Sequence, residues 1–209
     1  MAVHLIEHPL IMTRLTRIRR KETPPEIFRS NLDEIASMLI YEVARDFKTV
    51  EVEIETPISK TRQKTLDSQK FCLIAILRAG LGMIPGALKM IPNTSIGVIG
   101  MFRDEKTFAP VEYYCKLPGD IAESRILIVD PMLATGGSAS AAIDLLKRKN
   151  SKPITLISIL SAPEGIARIQ KDHPDVEIFT PAIDEKLNDR AYIVPGLGDA
   201  GDRIFGTEV

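Results

Sequence analysis

The stretch ILIVDPMLATGGSASAAIDLL, residues 126–146, passes from four large apolar residues through Asp130 and a run of small residues into an alanine-rich segment. Residues 126–129 show no polar alternation, the pattern of a strand buried on both faces. The spacing from Gly136 onward predicts a helix over 136–149. The same alternation recurs around this unit. CLIAIL (72–77), IGVIGM (96–101), ITLISIL (154–160) and VEIF (176–179) read as strands, and 80–91 and 163–172 read as helices. The fold class expected is therefore α/β, a mostly parallel sheet flanked by helices.

Further upstream the pattern changes. TPPE at 23–26 offers a helix start, with Thr23 as cap, Pro24 in the first turn and Glu26 reaching back. Ile27, Phe28, Leu32, Ile35, Leu39, Val43 and Phe47 then recur at helical spacing, so a long amphipathic helix is expected to end near Asp46. Residues 50–70 alternate briefly and turn polar, which reads as an edge strand and a surface loop. RLTRIRRK gathers Arg14, Arg17, Arg19, Arg20 and Lys21, and two readings fit: a solvated helix face, or a site for a polyanion or nucleotide effector.

With 209 residues the chain fits a single domain, 1–209, able to bury roughly 70% of its unfolded surface. Hydrophobic content is 44%, charged content 26%, and no apolar run approaches the ~20 residues of a membrane span. The N-terminal MAVHLIEHPL lacks the features of a secretion signal, so a cytoplasmic location is expected, with no membrane partner. Cys72 and Cys115 are too few for a disulfide framework, and three histidines in no ligand spacing give no zinc site. A net charge of −1 and a pI near 6.3 leave no footprint for nucleic acid.

Ligands of parallel sheets bind beyond the carboxyl ends of the strands. Those ends are chemically loaded here: residues 72–77 run into Arg78, residues 96–101 into Arg103, and residues 126–129 into Asp130 and its loop. The first turn of a helix presents free N–H groups and partial positive charge, an anion site. Gly136 and Gly137 allow close backbone approach, and Thr135 and Ser138 add hydroxyls. The loop is neither a Walker A sequence, having no lysine, nor a G-x-G-x-x-G. A phosphate cradle and a plain strand-to-helix turn both fit it. Asp130 tilts the balance, because a carboxylate beside a phosphate is repulsive unless it meets sugar hydroxyls or a metal; the combination suggests a ribose phosphate.

At this point LIVDPMLATGGS resembles the phosphoribosyl pyrophosphate (PRPP) loop of the type I phosphoribosyltransferases, in the form carried by the uracil phosphoribosyltransferase family. Most of that superfamily has two adjacent acids where this chain has Asp130 and Pro131, and the proline is the uracil-enzyme form. ILRAGLGM (76–83), GMFRDEKT (100–107), APEGI (162–166) and YIVPGLGDAGDRIFGT (192–207) extend the resemblance from about residue 8 to the C-terminus. It is weakest over 48–70.

The resemblance implies a uracil phosphoribosyltransferase activity that makes UMP and diphosphate from uracil and PRPP. It implies that Arg78 and Arg103 hold the diphosphate and that Asp130 meets the ribose hydroxyls. Pro131, Met132, Leu133, Ala134, Thr135, Gly136, Gly137 and Ser138 would cradle the 5-phosphate. Ile193, Gly198 and Ala200 would present main-chain groups to uracil in a C-terminal hood, with Asp199 near PRPP and a Mg²⁺ held mainly through PRPP. On sequence alone PGLGDAGD is equally a tight-turn cluster. Ala191 stands where the family commonly has glycine. The segment 103–114 reads either as a flexible arm that excludes water or as an ordinary exposed hairpin. A GTP effector and a homodimer or homotetramer belong to the same set of expectations. Two rivals are an RNA-binding regulator on this fold, against which the near-neutral charge speaks, and a purine or orotate enzyme, which would carry the second acid at 131.

Overall fold

The computed structural model describes residues 2–103, 110–149 and 153–207. In chain order the strands are β1 (Val3–Leu5), β2 (Thr49–Glu55), β3 (Lys60–Leu66), β4 (Phe71–Leu77), β5 (Ser95–Arg103), β6 (Pro110–Lys116), β7 (Arg125–Val129), β8 (Met132–Leu133), β9 (Ile154–Ile157), β10 (Leu160–Ser161), β11 (Glu177–Thr180), β12 (Lys186–Leu187) and β13 (Ile193–Val194). The helices are α1 (Pro9–Arg19), α2 (Pro25–Val43), α3 (Ile84–Met90), α4 (Gly137–Arg148), α5 (Pro163–Asp172) and α6 (Ala200–Phe205).

A seven-stranded sheet in the order β1-β11-β9-β7-β4-β5-β6 forms the centre. All its pairings are parallel except β5 with β6. Side chains alternate across a strand, so each central strand divides between two cores. Leu73, Ala75, Leu127 and Val129 pack with Ile11, Phe28 and Leu39 of α1 and α2 on one face. Cys72, Ile74, Ile126 and Ile128 pack with Ala142, Ile143 and Ile166 of α4 and α5 on the other. Winding from β4 goes outward through β5 on one side and through β7 and β9 on the other. The direction reverses between β4 and β7, the crevice where such sheets bind ligands.

The strands expected at 72–77, 96–101, 126–129 and 176–179 and the helices at 136–149 and 163–172 are present, with ends shifted by a residue or two. Residues 154–160 split into β9 and the short β10, and 80–91 splits into a 3₁₀ turn over Ala79–Met83 and α3. Thr23 does not cap α2. Its hydroxyl turns back to donate to the Arg17 carbonyl at 2.6 Å, Pro24 takes the cap position and Pro25 the first turn. The α-helix ends at Val43 and tightens to a 3₁₀ turn over Ala44–Asp46.

Residues 50–70 do not join the main sheet. β2 and β3 form their own antiparallel ribbon, with Glu51, Glu53 and Glu55 opposite Lys64, Arg62 and Lys60 on one face. Val50, Val52 and Ile54 occupy the other face, against Thr65, Gln63 and Thr61. Among the described residues no helix is long and apolar enough to cross a membrane.

Candidate active site

The ends of β4 and β7 lie side by side, with Ala75 in register with Val129. Arg78 therefore leaves the sheet next to Asp130. The Leu77–Arg78 peptide is cis, and Arg78 is followed by a turn whose Gly80 sits so close to β7 that a Cβ would lie 2.6 Å from the Val129 carbonyl. Arg103 is the last residue of β5, beyond the same end of the sheet, since Leu77 is in register with Gly100. The Arg103 side chain and residues 104–109 of the expected arm lie outside the described residues; 110–116 form β6, paired to β5.

Asp130 follows the last residue of β7, its N–H donated to the Ile157 carbonyl at 3.1 Å. Its half-buried carboxylate accepts from the Met132 N–H at 3.3 Å. Burial pushes this carboxyl up to about 7, against the downward pull of the Met132 N–H. Next comes Pro131, buried, whose carbonyl accepts both the Ile159 and Leu160 N–H groups, at 3.0 and 2.9 Å. The loop is held from outside in the same manner: Met132 and Leu133 pair in parallel with β10, and the Leu133 carbonyl accepts from Ala162 at 2.8 Å.

The loop then turns sharply at Gly136, which takes a left-handed φ of +73° and serves as cap of α4. A Cβ there would stand 2.9 Å from the Gly165 carbonyl at the start of α5. Gly137 begins the helix and donates its N–H to the Thr135 hydroxyl at 3.4 Å. The first turn of α4, Gly137 to Ser140, has no acidic residue, so nothing there opposes an anion at its free N–H groups.

The C-terminal segment closes over this rim. β12 and β13 form a small antiparallel ladder, and the chain passes through cis-Pro195, Gly196 (φ +61°) and Gly198 (φ +84°) into α6. Asp199 caps α6, accepting the Asp202 N–H at 3.0 Å. Ala191 has a φ of +60°, the only non-glycine residue with positive φ among the described residues, which accounts for a glycine preference at that position.

A cavity of about 350 Å³ lies between the two segments. Met132, Ala134 and Thr135 line it from the loop side, Ile193, Gly198, Asp199 and Ala200 from the hood side, and Ala79 from the turn after Arg78. Arg190, Ala191, Tyr192 and Gly201 complete the wall. Asp130, Pro131, Leu133, Gly136, Gly137 and Ser138 stand outside this cavity, along the strand end and the helix start.

Sequence reasoning missed Asp202. Arg78 donates to its Oδ1 at 2.9 Å and lies with its guanidinium carbon 5.9 Å from the Phe205 ring centre. Hydrogen bonds from Thr207 and Arg78 hold the Asp202 carboxyl below its usual value. Three cations of the basic stretch are likewise paired: Arg14 with Glu34, Arg19 with Asp184, and Arg20 with Glu22. Arg14 and Arg19 are thereby tied into the fold, while Arg20, 65% exposed and 4.0 Å from Glu22, stays at the surface.

The architecture, a mostly parallel sheet flanked by helices, is that of the type I phosphoribosyltransferases. The adenine phosphoribosyl transferase of Trypanosoma brucei shares the fold, with a TM-score of 0.57 at 13% identity over 86% of this chain and 82% of that one. A model of the uracil phosphoribosyltransferase family matches residues 5–207. The uracil phosphoribosyltransferase of Exiguobacterium sibiricum is 54% identical over 206 residues, 99% of each protein. A solved structure from Aquifex aeolicus superposes with a TM-score of 0.94 at 37% identity and covers 100% of both chains. The chain belongs to the uracil phosphoribosyltransferase family.

Proposed function

We propose that this chain transfers the phosphoribosyl group of PRPP to uracil, forming UMP and releasing diphosphate. The observation that carries the reading is the shared cavity, walled on one side by the 132–135 loop and on the other by residues 193–200. A sugar phosphate seated on the loop would point its anomeric carbon toward a base held by the hood.

In this reading residues 131–138 cradle the 5-phosphate, with main-chain N–H groups at the start of α4 and the Thr135 and Ser138 hydroxyls as donors, and Asp130 accepts from the ribose hydroxyls. Arg78 and Arg103 hold the diphosphate. Main-chain groups of Ile193, Gly198 and Ala200 read uracil. The bond from the uracil ring nitrogen to the anomeric carbon forms as the carbon–oxygen bond to diphosphate breaks, and the ring N–H proton is released. Charge leaves with the diphosphate while the sugar becomes oxocarbenium-like, so fixed arginines and nearby carboxylates lower the barrier mainly through electrostatics.

Magnesium fits this donor set as a companion of the substrate. It typically takes one or two carboxylates beside phosphate oxygens and water, and among the described residues no group of three or more acidic, His or Cys side chains forms a dedicated cage. Asp199, exposed at the cavity edge, would offer the carboxylate. When bound, the ion would neutralise part of the diphosphate charge.

A second copy of the chain is part of the same reading. Every residue of the β2–β3 ribbon except Thr61 is exposed, and a two-stranded ribbon alone is marginally stable in water. Its Val50, Val52 and Ile54 face offers apolar surface to a partner chain, which light scattering of the purified protein tests.

The activity is tested by diphosphate release from PRPP with uracil, 5-fluorouracil, cytosine and hypoxanthine under one set of conditions. Main-chain donors and acceptors have a fixed pattern, and cytosine reverses the uracil pattern at two adjacent positions. A site built for one pattern rejects the other by roughly 10⁴-fold. Uracil and 5-fluorouracil should react and cytosine should not. Equal rates for cytosine and uracil would rule out the main-chain readout, and activity confined to hypoxanthine would rule out the proposed substrate.

A further inference from the structure

The hood loop has no regular secondary structure between β13 and α6, so its shape must be imposed by contacts from elsewhere. Gly196 is the tightest point. Its φ is +61°, and a Cβ there would lie 2.1 Å from the Ile193 carbonyl. Such a turn leaves its N–H and C=O unable to bond within the loop, and both are buried.

Asp184 and Arg19 supply the partners. The Gly196 N–H donates to Asp184 Oδ2 at 2.8 Å, and Arg19 Nη1 donates to the Gly196 carbonyl at 2.9 Å. Arg19 also grips Asp184 through both nitrogens, at 2.8 and 2.6 Å, in the planar fork that only arginine provides. The Asp184 side chain is 6% exposed and Arg19 25% exposed. Burial alone would raise the Asp184 carboxyl; Arg19 and the Gly196 N–H outweigh it and hold the group ionised below its usual value. Asp184 is itself fixed to the core through its N–H, donated to the Ser161 carbonyl at 2.9 Å.

A second staple lies alongside. Buried Arg203 donates to the Leu197 carbonyl at 2.8 Å, to the Arg20 carbonyl at 2.6 Å and to the Ile18 carbonyl. The last carbonyls of a helix have no partner within it, so the end of α1 is closed by a residue of α6.

We propose that Arg19, acting through Asp184, is a positioning residue for base recognition, fixing the Gly196 turn that sets Ile193 on one side and Gly198 and Ala200 on the other. The inference rests on the reading of this loop as the uracil site. It separates the two substrates, because the hydrogen bonds of Arg19 and Asp184 described above run to each other, to Gly196 of the hood and to the Ser161 carbonyl, not to the phosphate side of the cavity. Loss of Arg19 leaves a buried carboxylate without its cation, and Asp184 can then release Gly196.

The test uses Arg19→Gln and the conservative Arg19→Lys, with uracil varied at saturating PRPP and PRPP varied at saturating uracil. Misplacing binding groups by about 1 Å can cost up to ~10²-fold, so Arg19→Gln should raise the uracil KM by roughly tenfold or more, with the PRPP KM within about threefold. Arg19→Lys should fall between Arg19→Gln and wild type, keeping the charge and losing the fork. Hydrogen exchange of the ligand-free proteins gives a readout independent of substrate: peptides spanning 193–200 should exchange faster in Arg19→Gln while β4 and β7 do not change. Equal rises in both KM values, or a uracil KM and 193–200 exchange like wild type, would overturn the proposal. Should Arg19→Gln fail to fold, the same two readouts on Arg19→Lys decide it. Wild-type protein inactive with uracil would instead overturn the substrate reading, leaving the exchange measurement to judge the clamp.

Discussion

Arg78 and Asp202 meet at 2.9 Å on the rim of the cavity, joining the turn after β4 to α6. Their side chains are 55% and 33% exposed, so solvent screens the pair. The pair is thus a weak tie in the ligand-free protein and leaves the guanidinium available to a diphosphate.

Arg78→Ala should therefore separate activity from stability. Turnover at saturating PRPP is expected to fall by roughly 10²-fold or more, in line with the loss of a fixed transition-state charge, while the melting temperature moves by no more than about 4 °C. Steady-state kinetics and thermal unfolding on the same preparation check both. A rate within a few-fold of wild type would remove Arg78 from the diphosphate site.

The two loop glycines should behave differently, although both stand in the same motif. Gly136 takes a left-handed φ, and a Cβ would meet the Gly165 backbone at 2.9 Å. The backbone conformation alone costs an L residue roughly 1–2 kcal/mol. A Cβ on Gly137 would meet only the tip of Arg168, at 3.3 Å, and the Thr135 hydroxyl, at 3.5 Å. Gly136→Ala should unfold at lower temperature and lose PRPP affinity in a calorimetric titration, and Gly137→Ala should change less in both. The reverse ranking would mean that Gly137, not Gly136, sets the loop.

Much of the fold was legible because β4 and residues 126–129 of β7 are unbroken apolar runs and β9 is broken only by Thr155, and the loop after β7 combines Asp130 with glycines at a helix start. Pro131 is buried, a place where an unpaired ionised acid would be costly. β1 was not legible, being three residues whose strand character comes from pairing with β11. The ribbon was half visible, since the Glu and Lys or Arg alternation at 51–55 and 60–64 becomes meaningful only once the two strands are opposed. Arg19 and Asp184 are 165 residues apart, and no local pattern connects them; Arg19 therefore read as one charge in a basic run.

Ala191 provides a test of the hood backbone. An alanine at a φ of +60° carries a left-handed cost of roughly 1–2 kcal/mol, partly offset in glycine by the greater freedom of the unfolded chain. Ala191→Gly is expected to leave stability equal or up to about 1 kcal/mol higher. Ala191→Val, β-branched at the same φ, should destabilise clearly and weaken uracil binding, because the residue lines the cavity. Denaturant unfolding of the three proteins gives the ranking, and a Val variant as stable as wild type would contradict the backbone geometry.

Asp130 makes the site sensitive to pH, and the sign follows from its raised pKa. The unfolded carboxyl titrates near 3.8 and the folded one near 7, because burial disfavours its charge. Between those values the folded protein holds the extra proton, so this group's contribution to stability is complete below the unfolded pKa. It is lost as pH rises toward 7 and is constant above it. Asp130→Asn removes the linkage, so the stability of the variant relative to wild type should grow from pH 4 to pH 7 and then level off. Ribose hydroxyls would donate to the ionised carboxylate, and a bound PRPP should pull its pKa down. PRPP binding near pH 7 should then release protons from wild type and fewer from Asp130→Asn, apart from those carried by the ligand's own phosphates. Calorimetric titrations in buffers of different ionisation enthalpy measure that difference directly. Identical proton release from the two proteins would take Asp130 out of contact with the ribose, however well the loop held the phosphate.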